Sequence, residues 1–447
     1  MKLSVEDAVD KGIEESFDLY SQKINLKISG KQSKLSKREW LPVLKFSFTG
    51  SDIINIMNSD SRNNNLSVHL TQQIFDGGAS ALRNKIQKQQ MQLNIEQLEQ
   101  AEFNLKNQLW LKYNQLLIQQ TQLKLQKKSL SQAKKQLEIY RLEATQGTVT
   151  ELELLQAEIS VGQLELDIEN GKTDFDDTFF QFRQLLGISP EVEIELIDTG
   201  ITEYTGININ LTISQIKKMA LNYNIEYRST LLELNQQRQQ YKLTKLSYIP
   251  EISLEVSLGL AGEQLPLTTP EFSTAINIDF NDSETPISST FDAGMSGNQT
   301  RNRTSSVSVT PFKGVGSLLN EKQSKLQIQE LQEKIDKLID SIPHAVISSY
   351  NKYNQKREAV RINHNLLILK KRELNILVLK QQQGDIKRSE LIEEQIDYSE
   401  DETALLQNIL ELIQIEQEFA IALGLTPSDL HLLATKTEVN SDEKSIF

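Results

Sequence analysis

Four histidines, His69, His344, His364 and His431, are the side chains here best suited to hold a metal or move a proton near neutral pH. None stands at ligand spacing from another, and a zinc site needs such a cluster. Glu393-Glu394 and Glu400-Asp401-Glu402 could supply an acid and a base. They lie on patterned helical stretches, where a run of charge is a solvated face. Phe75-Asp76-Gly77-Gly78 and Gly314-Val315-Gly316 lack the flanking pattern of a phosphate loop and read as strand-to-helix turns. The chain has no cysteine, hence neither a disulfide framework nor thiolate chemistry. No nucleophile motif occurs. The residues describe a protein that is not an enzyme, with no metal site and no cofactor.

The elements that carry these residues are mostly long helices. Leu109, Leu116, Leu123, Leu130, Leu137 and Ala144 recur every seventh residue. A second column, Leu111, Ile118, Leu125 and Ile139, runs two residues behind. At about 3.5 residues per turn that offset is a rotation of roughly 200°, so the two columns lie on nearly opposite sides. One seam serves a pair of helices; two opposed seams need a neighbour on each side, as in a wall or a ring. After Gly147-Thr148 the pattern repeats, with Leu154, Val161, Ile168, Phe175 and Phe182 in one column and Leu152, Ile159, Leu166 and Phe180 in the other. No proline interrupts Ala79 to Gln146, a stretch that predicts a rod of roughly 100 Å at about 1.5 Å per residue. Pro343 is expected to kink or split the second long helix near Ser341.

The sequence is duplicated. At an offset of 208, Leu3-Ser4-Val5 matches Leu211-Thr212-Ile213 and Trp40-Leu41-Pro42 matches Tyr248-Ile249-Pro250. At 237, Phe75 pairs with Phe312, Tyr113 with Tyr350, Gly147 with Gly384, Gly187 with Gly424 and Pro190 with Pro427. The 29 residues between the two offsets are extra chain in the second half, between Pro250 and Phe312. Residues 1–208 form the first repeat: one helix over Val5–Glu39, a strand pair at about 43–75, a long helix 79–146 and a return helix 148–186. Residues 209–427 form the second: a helix, a strand pair at about 251–312 around a long loop 262–304, a long helix 316–383 and a return helix 385–423. Residues 428–447 read as a fraying tail.

The strands alternate. Leu44, Phe46 and Phe48, then Leu66, Val68, Leu70 and Ile74, then Leu254, Val256 and Leu258, then Val307 and Val309 each share one face opposite polar residues. That is the pattern of strands crossing a bilayer, and also of a small soluble sheet. Four strands cannot close a transmembrane barrel, and an open edge in lipid is not viable. A membrane reading therefore demands several chains, three of them giving twelve strands, and the two-seamed helices demand neighbours too. Within 262–304, Ile276, Ile278 and Phe280 alternate with Asn277 and Asp279, enough for a small hairpin.

The formal charge of −13 and the lack of a basic stripe argue against nucleic acid and suit a surface or lumen that favours cations. No run of eighteen apolar residues marks a transmembrane helix. Met1-Lys2-Leu3-Ser4 is followed by Glu6, Asp7 and Asp10, not by the apolar core of a signal peptide. Read plainly that means cytoplasm; the other reading is a mature chain whose leader was replaced by an initiator methionine.

Trp40-Leu41-Pro42 before a strand, Gln73-Ile74-Phe75-Asp76-Gly77-Gly78 after one, Gly147-Thr148-Val149-Thr150-Glu151-Leu152-Glu153-Leu154-Leu155-Gln156-Ala157-Glu158 and Leu185-Leu186-Gly187-Ile188 resemble the TolC family of outer-membrane efflux proteins. The likeness runs through both repeats. It implies a mainly α protein with a small membrane β part: a homotrimer whose long antiparallel coiled-coil helices form an α-barrel through the periplasm. Four strands per chain would contribute to a twelve-stranded β-barrel in the outer membrane of a diderm bacterium. It implies an exit duct for efflux or type I secretion, docked on a periplasmic adaptor and, through it, on an inner-membrane RND or ABC pump. Leu44, Phe46, Phe48, Val68, Leu70, Leu254, Val256, Leu258, Val307 and Val309 would then face lipid. The hairpin tips Gly147, Thr148, Val149 and Gly384, Asp385, Ile386 would meet the adaptor. Relatives can carry aspartates six and nine residues after the second-repeat glycine as an acidic ring. Here those positions are Glu390 and Glu393, and their first-repeat counterparts are Glu153 and Gln156. The alternative is a soluble coiled-coil scaffold or tether with small hairpins at one end.

Overall fold

The structure is a computed structural model and describes residues 2–38, 40–54, 61–189, 191–197, 200–209, 211–246, 249–280, 286–296, 300–310, 315–386 and 388–434. Tyr248, Pro190, Phe312 and Gly314, matched positions of the duplication, lie outside them, as does the tail from residue 435.

The helical elements obey the duplication at the level of single hydrogen bonds. Helix α1 (Val5–Glu15) opens on a reciprocal cap between Ser4 and Asp7, and α5 (Ile213–Tyr223) opens on the same device between Thr212 and Gln215. Each satisfies backbone N–H groups that a helix start leaves unpaired. The single first helix expected over Val5–Glu39 is two helices. The backbone leaves the helical basin at Ser16 (ψ 116°), and α2 (Phe17–Ser36) follows. Asn224 breaks the second repeat in the same way (ψ 114°) before α6 (Ile225–Leu246). Both break residues are short and polar, types that bond locally and compete with helix continuation; Ser16 Oγ accepts the Leu19 N–H.

The long helices are α3 (Ala79–Thr145) and α7 (Val315–Gln383), and the returning ones α4 (Glu151–Leu186) and α8 (Arg388–Leu423). Pro343 does not split α7, which is helical on both sides of it. A proline removes one bond and costs about 3 kcal/mol, a small term in a helix this long and packed. Past α8, residues 427–434 form a short helix, α9, capped by Thr426 and Asp429, with Leu430 and Ala434 buried. The start of the expected tail is therefore packed rather than frayed.

The chain divides into two units. The first comprises Met1–Ser21, Leu98–Ile225 and Leu338–Phe447. Its core holds Leu109, Leu116, Leu117 and Ile118 of α3 with Phe182, Leu186 and Phe419. Tyr113 donates to the carbonyls of Leu3 and Ile197, beside the parallel pair β1 (Lys2–Leu3) and β4 (Glu195–Leu196). Its counterpart Tyr350 donates to Ile209, and Tyr353 to Ile207. Glu416 is fully buried, taking hydrogen bonds from Tyr204 (2.7 Å) and Tyr353 (3.2 Å) and pairing with His431 of α9 (2.7 Å). Burial first, and the Glu416 charge second, hold both tyrosine hydroxyls protonated far above their ordinary range.

The second unit comprises Gln22–Gln97 and Glu226–Lys337 and holds the sheet. Strands β2 (Val43–Ile53), β3 (Ser61–Phe75), β5 (Glu251–Gly262), β6 (Thr269–Phe280), β7 (Ile287–Ser296) and β8 (Arg301–Val309) run antiparallel in the order β2-β3-β5-β6-β7-β8. The four expected strands are present. The loop 262–304 adds two more, β6 and β7, so among the described residues this sheet has six strands rather than four. Near its end β3 bulges, and Phe75 rather than Ile74 opposes Ile252.

Gly424, which ends α8, sits at φ +75°, and a Cβ there would lie 2.5 Å from the Tyr223 carbonyl oxygen. Gly147 has nearly the same φ, +76°, with open space around it. An alanine at either position meets a left-handed penalty of about 1 kcal/mol. Gly147→Ala should cost about that much, and Gly424→Ala at least twice as much, because the backbone must also move. Thermal-unfolding midpoints of the two variants in detergent compare them directly.

Candidate functional site: helical tips, an acidic stripe and a two-faced sheet

Both tips end on the same hydrogen bonds. In the first, Gly147 N–H donates to Ala144 and Thr148 N–H reaches back to Glu143. In the second, Gly384 donates to Gln381 and Asp385 to Lys380, each pair displaced by 237. This is the double bond of a glycine-ended helix, 5→2 and 6→1. Thr150 and Glu153 then cap α4 reciprocally. Glu153, the first-repeat counterpart of Glu390, is thus committed to its own helix start. Gly147, Thr148, Gly384 and Asp385 are exposed. Val149 packs instead against a cluster of Ala133, Leu137 and Tyr140 from α3, Ala157 and Val161 from α4, and Ile392 and Ile396 from α8. Ile386 is half-buried.

Glu390 and Glu393 lie exposed in the first two turns of α8, on either side of the buried pair Leu391 and Ile392. The structure brings Glu390 toward Glu394, one helical turn on, rather than singling out Glu393. Glu394 is exposed, yet partial desolvation raises its carboxyl above its ordinary value, and Asp397, Glu373 of α7 and Glu390 raise it further, against the pull of Lys370. Lys370 in turn is paired with Asp401. Glu390, Glu394, Asp397 and Asp401 follow helical spacing and form an acidic stripe along one side of α8. Read by itself, Glu393-Glu394 is a solvated charge run; its four-residue distance from Glu390 is what joins Glu394 to the stripe.

The heptad columns divide on α4, whereas on α3 Ile118 of the second column is buried together with the first. The first columns of α3 and α4 are largely buried, with Leu109, Leu116, Leu123 and Leu137 against Val161, Ile168 and Phe182. In the second column of α4, Leu152, Ile159, Leu166 and Phe180 are between 53% and 66% exposed. On α7, Ile362, Leu369 and Ile376, also at heptad spacing, are exposed as well.

The sheet carries one apolar and one polar face. Register places Phe46, Val68, Leu258, Phe272 and Met295 in one row and Leu70, Val256, Thr274 and Ala293 in the next. Leu44, Phe48, Leu254, Val307 and Val309 share this face, and most of its large side chains are exposed. At the end of the strands away from the helices it becomes charged: Asp52 pairs with Arg62 at 3.0 Å, and Arg301 and Arg303 stand on β8. The other face carries Glu251, Glu255, Glu271, Asp279 and Asp292, with Lys45 and His69. His69 bonds Glu255 (3.0 Å) on one ring nitrogen and Ser67 (2.9 Å) and Ser47 (3.1 Å) on the other. Among the described residues no group of His, Asp and Glu could hold a metal ion, and no helix is long and apolar enough to cross a membrane.

A duplicated set of helical hairpins joined to an amphipathic antiparallel sheet is the fold of the outer-membrane channels. It matches CmeC of Campylobacter jejuni at a TM-score of 0.74 and 16% identity, over 95% of this chain and 86% of that one. It matches MtrE of Neisseria gonorrhoeae at 0.72 and 15%, over 94% and 89%. CusC matches at 0.74 and 14%, over 94% and 92%. Residues 8–188 match the sequence model of the family described as outer membrane efflux protein. That match spans most of the first repeat, and the solved structures share the fold across both repeats. No curated protein matches the chain.

The acidic stripe sets a pH dependence. A carboxyl whose folded-state value lies above its unfolded one takes up its proton on the folded side first as pH falls. Acidification toward the ordinary carboxylate value of 4.5 should therefore relieve the repulsion at Glu394 and favour the folded state. Glu394→Gln should raise the unfolding midpoint at pH 7 and flatten its rise between pH 7 and 5. An unchanged slope in a thermal-melt series would show that the stripe does not couple.

Proposed function

We propose that three copies of this chain form a channel through the outer membrane, the exit duct of an efflux or secretion system spanning the cell envelope. The observation that carries it is the open seam of α4. Leu152, Ile159, Leu166 and Phe180 form an apolar column, interrupted by Thr173, that the described residues of the chain leave exposed. Each such side chain gains roughly 1.5–3 kcal/mol on full burial, so a column of four favours a partner helix strongly. The column at Ile362, Leu369 and Ile376 of α7 has the spacing to receive it from the next chain, and a ring of chains closes when each does both.

The sheet supports the same reading. Its apolar face, including Leu44, Phe46, Phe48, Val68, Leu70, Leu254, Val256, Leu258, Val307 and Val309, is suited to lipid. The charged fringe of Arg62, Arg301 and Arg303 lies where headgroups would be. The opposite face, with five carboxylates against Lys45 and His69, suits an aqueous lumen that favours cations. The helices would stand in the periplasm. The exposed residues Gly147, Thr148, Gly384 and Asp385 would meet an adaptor, with Val149 and Ile386 anchoring each tip. An inner-membrane RND or ABC pump would act through that adaptor. Glu390 and Glu393, joined by Glu394, would ring the entrance with carboxylates. Solute transfer asks no bond making of any of these groups, and the protein acts without catalysis or a cofactor.

Two measurements test this. Detergent-purified protein in a planar bilayer should open as a cation-selective channel. Glu390→Gln/Glu393→Gln should move its reversal potential toward zero in a salt gradient, and an unmoved potential would remove the entrance ring. Ile159→Glu/Leu166→Glu should shift the native mass from three chains to one, and a variant that remains trimeric would remove α4 from the interface.

A further inference from the structure

The hairpin β6–β7 is not an appendage. It lies between β5 and β8 in the hydrogen-bonded order, with each β6 residue from Thr269 to Asp279 opposed on both sides except at its loop end. Its faces continue those of the sheet. Phe272, Ile276 and Ile278 extend the apolar face of β5, and Phe291 and Met295 carry it across β7 toward β8. Glu271, Asp279 and Asp292 extend the polar face, and Glu271 accepts a hydrogen bond from Asn65 of β3 at 2.6 Å, reaching across β5. A hairpin folded over the mouth of a barrel would have no reason to alternate in phase with the strands of its wall.

The edges give the second argument. Among the described residues, β2 and β8 each pair on one side only. An unpaired strand edge is excluded from hydrocarbon. β2 runs away from the helices and β8 runs back toward them, so β8 of one copy and β2 of the next are antiparallel and can pair. Adding two strands preserves this direction, where adding one would not.

On the trimer reading, we infer that each chain contributes six strands and that the outer-membrane barrel has eighteen. Strands about 4.8 Å apart and tilted about 40° give a backbone diameter of roughly 24 Å for twelve strands and roughly 36 Å for eighteen. A closed sheet of the larger size encloses an aqueous channel. The added third of its wall presents Glu271, Asp279 and Asp292 to the lumen. The exit is therefore half again as wide as a four-strand chain would make it, and its added lining selects for bulky hydrated solutes carrying positive charge.

Because the chain lacks cysteine, single cysteines report without background. In nanodiscs, Ile276→Cys and Phe291→Cys should resist a membrane-impermeant maleimide, while Asn277→Cys and Thr290→Cys should react. Electron cryo-microscopy of the same particles should show eighteen strands in cross-section at membrane level. A trimer in which all four cysteines react alike, or whose barrel has twelve strands with the hairpin outside, overturns the inference and leaves the trimer standing. A native mass other than three chains overturns the trimer itself, and the strand number with it.

Discussion

Hydrocarbon offers no partner to a backbone N–H or C=O, and that one constraint governs the rest of the molecule. A six-stranded sheet with an apolar face and two open edges is unfinished in lipid. On the trimer reading, other copies supply the missing edges. The helices face a milder form of the same demand in water. Their first apolar columns close within the chain, whereas Leu152, Ile159, Leu166 and Phe180 do not. Sheet and helices thus call for the same neighbours by different physics, hydrogen bonding in one case and apolar burial in the other.

The duplication explains how such an object can be specified economically. The caps at Ser4 and Thr212, the breaks at Ser16 and Asn224, and the paired bonds behind Gly147 and Gly384 are single solutions used twice. The repeats diverge where the two halves have different work. Glu153 locks a helix start, while its counterpart Glu390 is free to join an acidic stripe. The sheet diverges too: the first repeat supplies β2 and β3, the second four strands.

The long helices, their tips and four of the strands were legible because each rests on local chemistry that recurs at a fixed period or offset. The family likeness was legible for the same reason. The break at Ser16 was hidden, because Val5–Glu39 contains no proline and only dihedral choice at one polar residue divides it. The hairpin β6–β7 was half visible: its alternation at Ile276, Ile278 and Phe280 could be read, but membership of the main sheet depends on pairing with distant strands. Leu430 and Ala434 looked like the start of a tail because their burial depends on helices far away in sequence. Glu394 was legible only as part of a solvated charge run, because its perturbation comes from partial desolvation and from Asp397 and Glu373, the latter on another helix.

Pro343 makes the two long helices mechanically unequal. α3 has a proline-free backbone from Ala79 to Thr145, whereas α7 lacks one rung at the carbonyl of Ile339, four residues before the proline. A rod with one missing rung has its lowest bending stiffness there. Compliance in the pair of long helices is therefore concentrated at one level of α7. The pair behaves as one plain rod beside one jointed rod, and the joint is set by a single residue whose counterpart in the first repeat is Lys106.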